Sequence, residues 1–297
     1  MPEPTHPLAP LEKASILIEA LPYIRQFHGQ VMVIKLGGSA LIDDTKKRAL
    51  LQDVALLHMV GIKPVIIHGG GPAINQHLAQ LGVEPHFEQG LRVTDDTTMS
   101  VVEMILCGQV GKDLVGLLGQ LGVPALSLSG KDAHLLLCEK HQPNGADVGY
   151  VGTITQVNHT LLNTLLEQGL LPVLSSVSMG EHDGHSYNVN ADIAAIAVAT
   201  ALKANKLVYV SDVAGVLGDV TRPESLIPHL TVGEVSRLVQ EGVIAGGMLP
   251  KVQCCVDAVE AGIERVHILD GRTEHSLLLE IFTDEGNGTM FTAGNEG

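Results

Sequence analysis

Two lysines, a set of glycine turns and one arginine are the parts of this sequence best suited to chemistry. Lys35 ends the apolar run Val31-Met32-Val33-Ile34, so it belongs at the carboxyl end of a buried strand, the edge where open α/β sheets bind ligands. It is either an anion ligand there or a lysine snorkelling out of the strand end. Lys251 follows Gly246-Gly247-Met248-Leu249-Pro250, a loop-to-helix start where the helix dipole disfavours a cation, so an anionic partner is expected. Asp192, in Asn188-Val189-Asn190-Ala191-Asp192, opens an apolar helix and is either a functional carboxylate or an N-terminal cap. Arg92, in Gly90-Leu91-Arg92-Val93-Thr94, has apolar, turn-like flanks that are unusual for a plain surface charge.

The glycines follow strands. Gly37-Gly38 comes after Leu36, Gly69-Gly70-Gly71 comes after His68, and Gly246-Gly247 lies further on. Such turns expose main-chain N–H groups at a helix N-terminus, where an anion is favoured. Two of them in successive β–α units, one preceded by Lys35, say more than either alone. Neither has the spacing of the P-loop or of the G-x-G-x-x-G dinucleotide turn. No G-x-S-x-G elbow is present for acyl chemistry. His182 and His185 are the only close histidine pair, and no Cys or carboxylate cluster completes a zinc-like set, so no protein-held metal is expected. His267 and His275 read as solvated or structural.

The elements that must position these residues alternate along the chain. Strand-like runs at Val31–Leu36, Pro64–His68, Ala125–Leu128, Leu171–Ser175, Leu207–Val210 and Arg265–Leu269 are separated by helical stretches such as Thr45–Val60, Leu161–Gln168, Asp192–Leu202 and Val252–Ala261. That pattern predicts a mainly parallel sheet covered on both faces. His134–Gly152 is more hairpin-like. Leu11–Phe27 has helical spacing with Pro22 inside it, which predicts a kink. No linker is visible, so two lobes would have to share one continuous sheet.

Composition narrows the partners. The 297 residues carry 18 Lys+Arg against 33 Asp+Glu, a formal charge of −15. A field of that sign argues against nucleic acid and against an anionic membrane surface. With aromatics at 3 % and no Trp, the core must be built from Leu, Val, Ile and Ala. Cys107, Cys138, Cys254 and Cys255 form no C-x-x-C pair and read as free thiols of a reducing compartment. The first ten residues lack the basic and apolar regions of a signal peptide, and no run is long enough to span a bilayer. A cytoplasmic protein is expected.

Taken in order, Val33–Gly38, Ile67–Pro72, Gly90–Thr94, Asn188–Asp192, Ser211–Leu217 and Gly247–Lys251 closely resemble the amino acid kinase family, in its acetylglutamate kinase branch. The match runs from about Leu11 to Phe291. The resemblance implies a three-layer αβα sandwich around a mainly parallel central sheet. It divides the chain into an N-terminal kinked helix (1–29), an acyl-amino-acid lobe (30–186) and an ATP lobe (187–297). It implies transfer of the γ-phosphoryl of ATP, carried with Mg2+, to the side-chain carboxylate of N-acetyl-L-glutamate. Lys35 and Lys251 would neutralise the transferring group, with Asp192 holding both. Gly37, Gly38, Gly69 and Gly70 would donate N–H groups to it. Gly70, Gly71, Arg92, Asn188 and Asn190 would take the acyl amino acid, and Ser211, Asp212, Gly215, Met248 and Lys251 the nucleotide.

The extra N-terminal helix and the run His275–Met290 look like the arginine-inhibited, hexameric part of that branch. Tyr23, Lys203, Glu280 and the carbonyl of Gly286 would then meet L-arginine. A PII-type signalling partner is left open. Two departures stand out: Ser39 where many relatives carry Asn, and Gly111-Lys112-Asp113 in place of a more polar stretch. The rivals are a kinase of carbamate, glutamate, aspartate or UMP, and a sensor that kept the fold without turnover.

Overall fold

The computed structural model describes residues 9–283 and 286–294. Most of the stretch read for a targeting signal lies outside them, as do Asp284 and Glu285 of the C-terminal run. Helix α1 (Pro10–Phe27) begins with a proline at its first position and keeps Pro22 inside it. Then come β1 (Val31–Leu36), α2 (Asp44–Met59), β2 (Lys63–His68) and α3 (Gly71–Gln80). A short hairpin, β3 (Phe87–Glu88) and β4 (Leu91–Arg92), precedes α4 (Asp96–Glu103). A π-helical segment, Met104–Val110, joins α4 directly to α5 (Gly111–Gln120). Next are β5 (Ala125–Leu128), β6 (Leu136–Lys140), β7 (Gly152–Val157), α6 (His159–Glu167), β8 (Leu171–Ser175), β9 (Val177–Gly180) and β10 (Ser186–Asn188). The chain closes with α7 (Ala191–Ala201), β11 (Lys206–Ser211), β12 (His229–Thr231), α8 (Val232–Gln240), α9 (Met248–Glu260), β13 (Arg265–Asp270), α10 (Ser276–Phe282) and β14 (Thr289–Thr292).

One eight-stranded sheet runs in the order β12-β14-β13-β11-β1-β2-β8-β5. Every neighbouring pair is parallel except β13 with β14. A second sheet, β10-β9-β6-β7, contains the antiparallel pair that the hairpin-like stretch predicted. Strand alternation assigns the faces of the large sheet. Val33, Val65, Ile67, Leu207 and Tyr209 pack against α6, α7, α8 and α9, whereas Met32, Ile34, Leu36, Ile66 and Val208 pack against α2, α5 and α10. Each such aliphatic side chain taken fully out of water contributes about 1.5–3 kcal/mol. Ala194, Ala195 and Ala199 let α7 approach β1 closely. The result is the three-layer αβα sandwich expected, and its central sheet is continuous.

Candidate active site

Because β1 lies mid-sheet, its carboxyl end is flanked by the ends of β11 and β2. Lys35 has the parity of Val33 and so faces the first turn of α7. There its Nζ lies 2.7 Å from Oδ1 of Asp192, with the side chains 15 % and 27 % exposed. The capping role left open for Asp192 belongs to Asn190, whose Oδ1 accepts the Asp192 N–H at 2.7 Å. The carboxylate of Asp192 is thereby free for the lysine. Lys251 sits in the first turn of α9 and donates to Ser211 Oγ and Asp212 Oδ1, both at 2.7 Å. The Lys251 hydrogen bond and charge hold the Asp212 carboxyl below its ordinary range. One carboxylate holding both lysines is therefore replaced by two separate ion pairs, because β11 ends beside α9 and supplies its own acid. Lys35, Asp192, Ser211 and Lys251 still line one small cavity, with Cys254 and Tyr209.

The glycine turns divide into two kinds. The Gly37 N–H donates to the Val210 carbonyl at 3.0 Å and the Gly69 N–H to the Leu36 carbonyl at 3.4 Å. Both continue the sheet ladders, so the expectation that these two serve as anion donors is corrected. Gly38 opens a short 3-10 turn and Gly71 opens α3 with Gly70 as its cap, positions whose N–H groups have no acceptor within their helix. Side chains would not fit: a Cβ on Gly38 would lie 2.7 Å from Pro72 Cδ, and one on Gly70 2.6 Å from Leu106 Cδ2. Leu106 is brought there by the π-helical segment, which the sequence pattern did not reveal.

Beside this loop, Gly69, Gly70, Gly71, Arg92, Ser176, Asn188 and Asn190 line a cavity of about 220 Å³. Arg92 is 9 % exposed. Its Nη2 donates to Asn75 Oδ1 at 2.6 Å, and its guanidinium stands 4.8 Å from the Phe87 ring centroid. Its Nη1 is buried and has no partner among the described residues. Burial lowers the Arg92 pKa from a value far above neutrality, so the group stays cationic. Asn188 Nδ2 donates to Thr94 Oγ1 at 3.3 Å, and Thr94 Oγ1 donates to the Arg92 carbonyl at 2.8 Å. Two motifs nearly a hundred residues apart thus meet through Thr94. On the far side of the lysines a larger cavity, about 860 Å³, is lined by Asp212, Gly215, Gly218, Met248 and Arg272. Gly215 has φ +140°, and its Cβ would meet Thr289 Oγ1 and Leu226. Ser211 belongs to the lysine cavity instead.

The model of the amino acid kinase family matches residues 30–270. The chain belongs to the amino acid kinase family. It is 51 % identical over 280 residues to the acetylglutamate kinase of Thermoanaerobacter pseudethanolicus, covering 94 % of this chain and 93 % of that protein. Among solved structures it is similar to the N-acetylglutamate synthase of Neisseria gonorrhoeae complexed with coenzyme A and N-acetyl-glutamate, with TM-score 0.84 and 30 % identity over 95 % of this chain. The chain spans 64 % of that synthase's length. The same synthase complexed with coenzyme A and L-arginine matches with TM-score 0.79 and 28 % identity, over 95 % of this chain and 65 % of that one.

In this amino acid kinase a further cavity, about 310 Å³, lies at the opposite edge of the sheet, where β11 and β13 begin. Tyr23, Lys206, Arg265, His267, Glu280 and Gly286 line it. Burial pushes Glu280 up, but the His267 imidazole, its Nδ1 2.7 Å from Oε1, the Asn287 N–H and Lys206 outweigh it and hold the carboxyl below its ordinary range. His267 is fully buried, not solvated, and burial lowers its pKa. Burial also brings Lys206 down to about 8. Lys203 does not line this cavity; it occupies a left-handed turn after α7, with φ +50°. Sequence reasoning missed Lys206, whose only signal is its place at the start of a strand. It also missed Asn75 and Phe87. Among the described residues, exposed Glu139, Glu181 and His182 converge, Glu139 coming from β6. No described helix is long and apolar enough to cross a membrane.

Proposed function

We propose that this chain transfers the γ-phosphoryl of ATP to the side-chain carboxylate of N-acetyl-L-glutamate, giving N-acetyl-L-glutamyl 5-phosphate and ADP in cytoplasmic arginine biosynthesis. The observation that carries the proposal is that Lys35 and Lys251, paired with Asp192 and Asp212 respectively, line one cavity together with Asp192 and Ser211. That cavity adjoins the arginine-lined pocket through Asn190–Asp192 and the larger cavity through Ser211–Asp212. A carboxylate with pKa near ~4.3 is ionised at neutral pH and needs no general base. The protein's task is then to align acceptor and phosphoryl and to meet the developing charge. Arg92 Nη1 would take the substrate α-carboxylate, Gly38, Gly70 and Gly71 would offer N–H groups to the phosphoryl, and the two lysines would flank it. Asp192 and Asp212 are each engaged by a lysine, which suits a magnesium ion bound mainly to nucleotide phosphates and supplying charge neutralisation there. The acyl-amino-acid lobe would be 30–186 and the nucleotide lobe 187–297.

The cavity of Tyr23, Lys206, Glu280 and Gly286 would take L-arginine, its acid meeting the guanidinium and Lys206 the carboxylate. Exposed Leu11, Leu17, Ile18 and Leu21 on α1 support assembly of dimers into a hexamer through that helix. The test is ADP release with ATP and magnesium, comparing N-acetyl-L-glutamate with free glutamate, with and without L-arginine. Turnover with the acetylated acceptor, suppressed sigmoidally by arginine, is expected. Turnover indifferent to arginine discards the effector site; no turnover with either acceptor discards the kinase.

A further inference from the structure

The substrate arginine is held by residues outside the motifs. Asn75 lies four residues after Gly71 on α3, so the two share a helix face. A Cβ on Gly71 would come 4.0 Å from Arg92 Nη2, the same nitrogen that donates to Asn75 Oδ1 at 2.6 Å. Arginine carries only donors, so the amide must turn its oxygen toward it. On the hairpin, Phe87 pairs directly with Arg92 across the strands, and its ring backs the guanidinium at 4.8 Å. With one nitrogen tied and one face backed, the plane of the guanidinium is set. The other terminal nitrogen, Nη1, is buried without a partner among the described residues.

We infer that Asn75 is a positioning residue for the acceptor: it fixes Arg92 so that Nη1 addresses the α-carboxylate of the acylated amino acid. This rests on the proposed function. A neutral amide suits the task better than an acid. Asp or Glu at this position would pair with the guanidinium and cancel the charge the substrate carboxylate needs. The bond also ties the hairpin carrying Arg92 to the helix that starts at the glycine turn. The two ends of the acceptor are thereby held in one register.

The test measures steady-state kinetics of Asn75→Ala and Asn75→Asp. Each is run with N-acetyl-L-glutamate and with N-acetyl-4-aminobutyrate, an acylated acceptor without the α-carboxylate. For Asn75→Ala the KM for N-acetyl-L-glutamate should rise about tenfold, the scale of one hydrogen bond to a charged group. Its kcat and its KM for ATP should stay within about twofold. Preference for N-acetyl-L-glutamate over the analogue should fall by a similar factor. Asn75→Asp should raise that KM further than Ala does. Alanine is the better helix former, so a loss of folding is not expected, and an unchanged thermal midpoint separates positioning from structure. An unchanged KM in Asn75→Ala, an equal rise in the KM for ATP, or an Asp variant with native KM would each overturn the inference. Absence of turnover by the native chain would instead overturn the functional proposal beneath it.

Discussion

Lys35 and Lys251 are alike in type and differ in how they are held. Each has a carboxylate partner at 2.7 Å, and each is partly open to the cavity they share. A cation already fixed in place stabilises developing charge without the cost of reorganising at the moment of reaction. Lys35→Ala or Lys251→Ala is therefore expected to lower kcat about a hundredfold or more while moving KM much less. Steady-state kinetics decide it, and near-normal turnover would remove that lysine from the reaction. Arg92→Lys keeps the charge but loses the planar fork that Asn75 and Phe87 hold. Calorimetric titration should show weaker N-acetyl-L-glutamate binding with ATP binding little changed; equal losses count against its assignment to the acceptor. His68 presents a different case. Burial depresses its pKa from 6.5 to about 4. Between those values the unfolded chain binds the proton and the folded chain does not, so stability falls as pH drops through that window. The thermal midpoint of His68→Gln should fall less than that of the native chain between pH 6.5 and 4.5; parallel curves would refute it.

At the scale of elements, the joint between α2 and α10 carries more than its size suggests. Asp53 on α2 is fully buried and lies 2.6 Å from His275 Nδ1. Burial raises its pKa, while His275 and the N–H groups of Leu277 and Leu278 pull against that rise. Asp53 thus ties α2 to His275, the residue at the cap of α10, which makes no side-chain cap of its own. Asp53→Ala should cost about 2 kcal/mol or more, read as a lower urea midpoint with the slope unchanged. His275 is half exposed, so His275→Ala should cost less. A native midpoint for Asp53→Ala would show that α10 docks without this bond.

At the scale of the molecule, β11 connects two sites. Lys206 begins it at the Glu280 cavity and Ser211 ends it at Lys251, about 17 Å of strand between them. Helix α1 contributes Tyr23 to the first of these sites while leaving Leu11, Leu17 and Ile18 open to solvent. A chain beginning at Gln30 is expected to give a smaller assembly by light scattering than the full chain. Identical masses would sink the role of α1 in assembly.

Much of this was legible in the residues themselves. Alternating apolar strands and helices determined a layered α/β fold, because a strand buried on both faces has to be apolar along its length. Motif order singled out Lys35, Arg92, Asn188, Asp192 and Lys251. Sequence spacing could not say which partner each would take. Only the tertiary structure paired Lys251 with Asp212, gave the cap of α7 to Asn190 and committed the Gly37 and Gly69 N–H groups to the sheet. It alone set Lys206 in the cavity where Lys203 had been expected, and brought Asn75 and Phe87 around Arg92. The physical reason is common to all of these. Residue type and local period decide which face a side chain occupies, whereas its partners depend on which strands become neighbours and where each one ends.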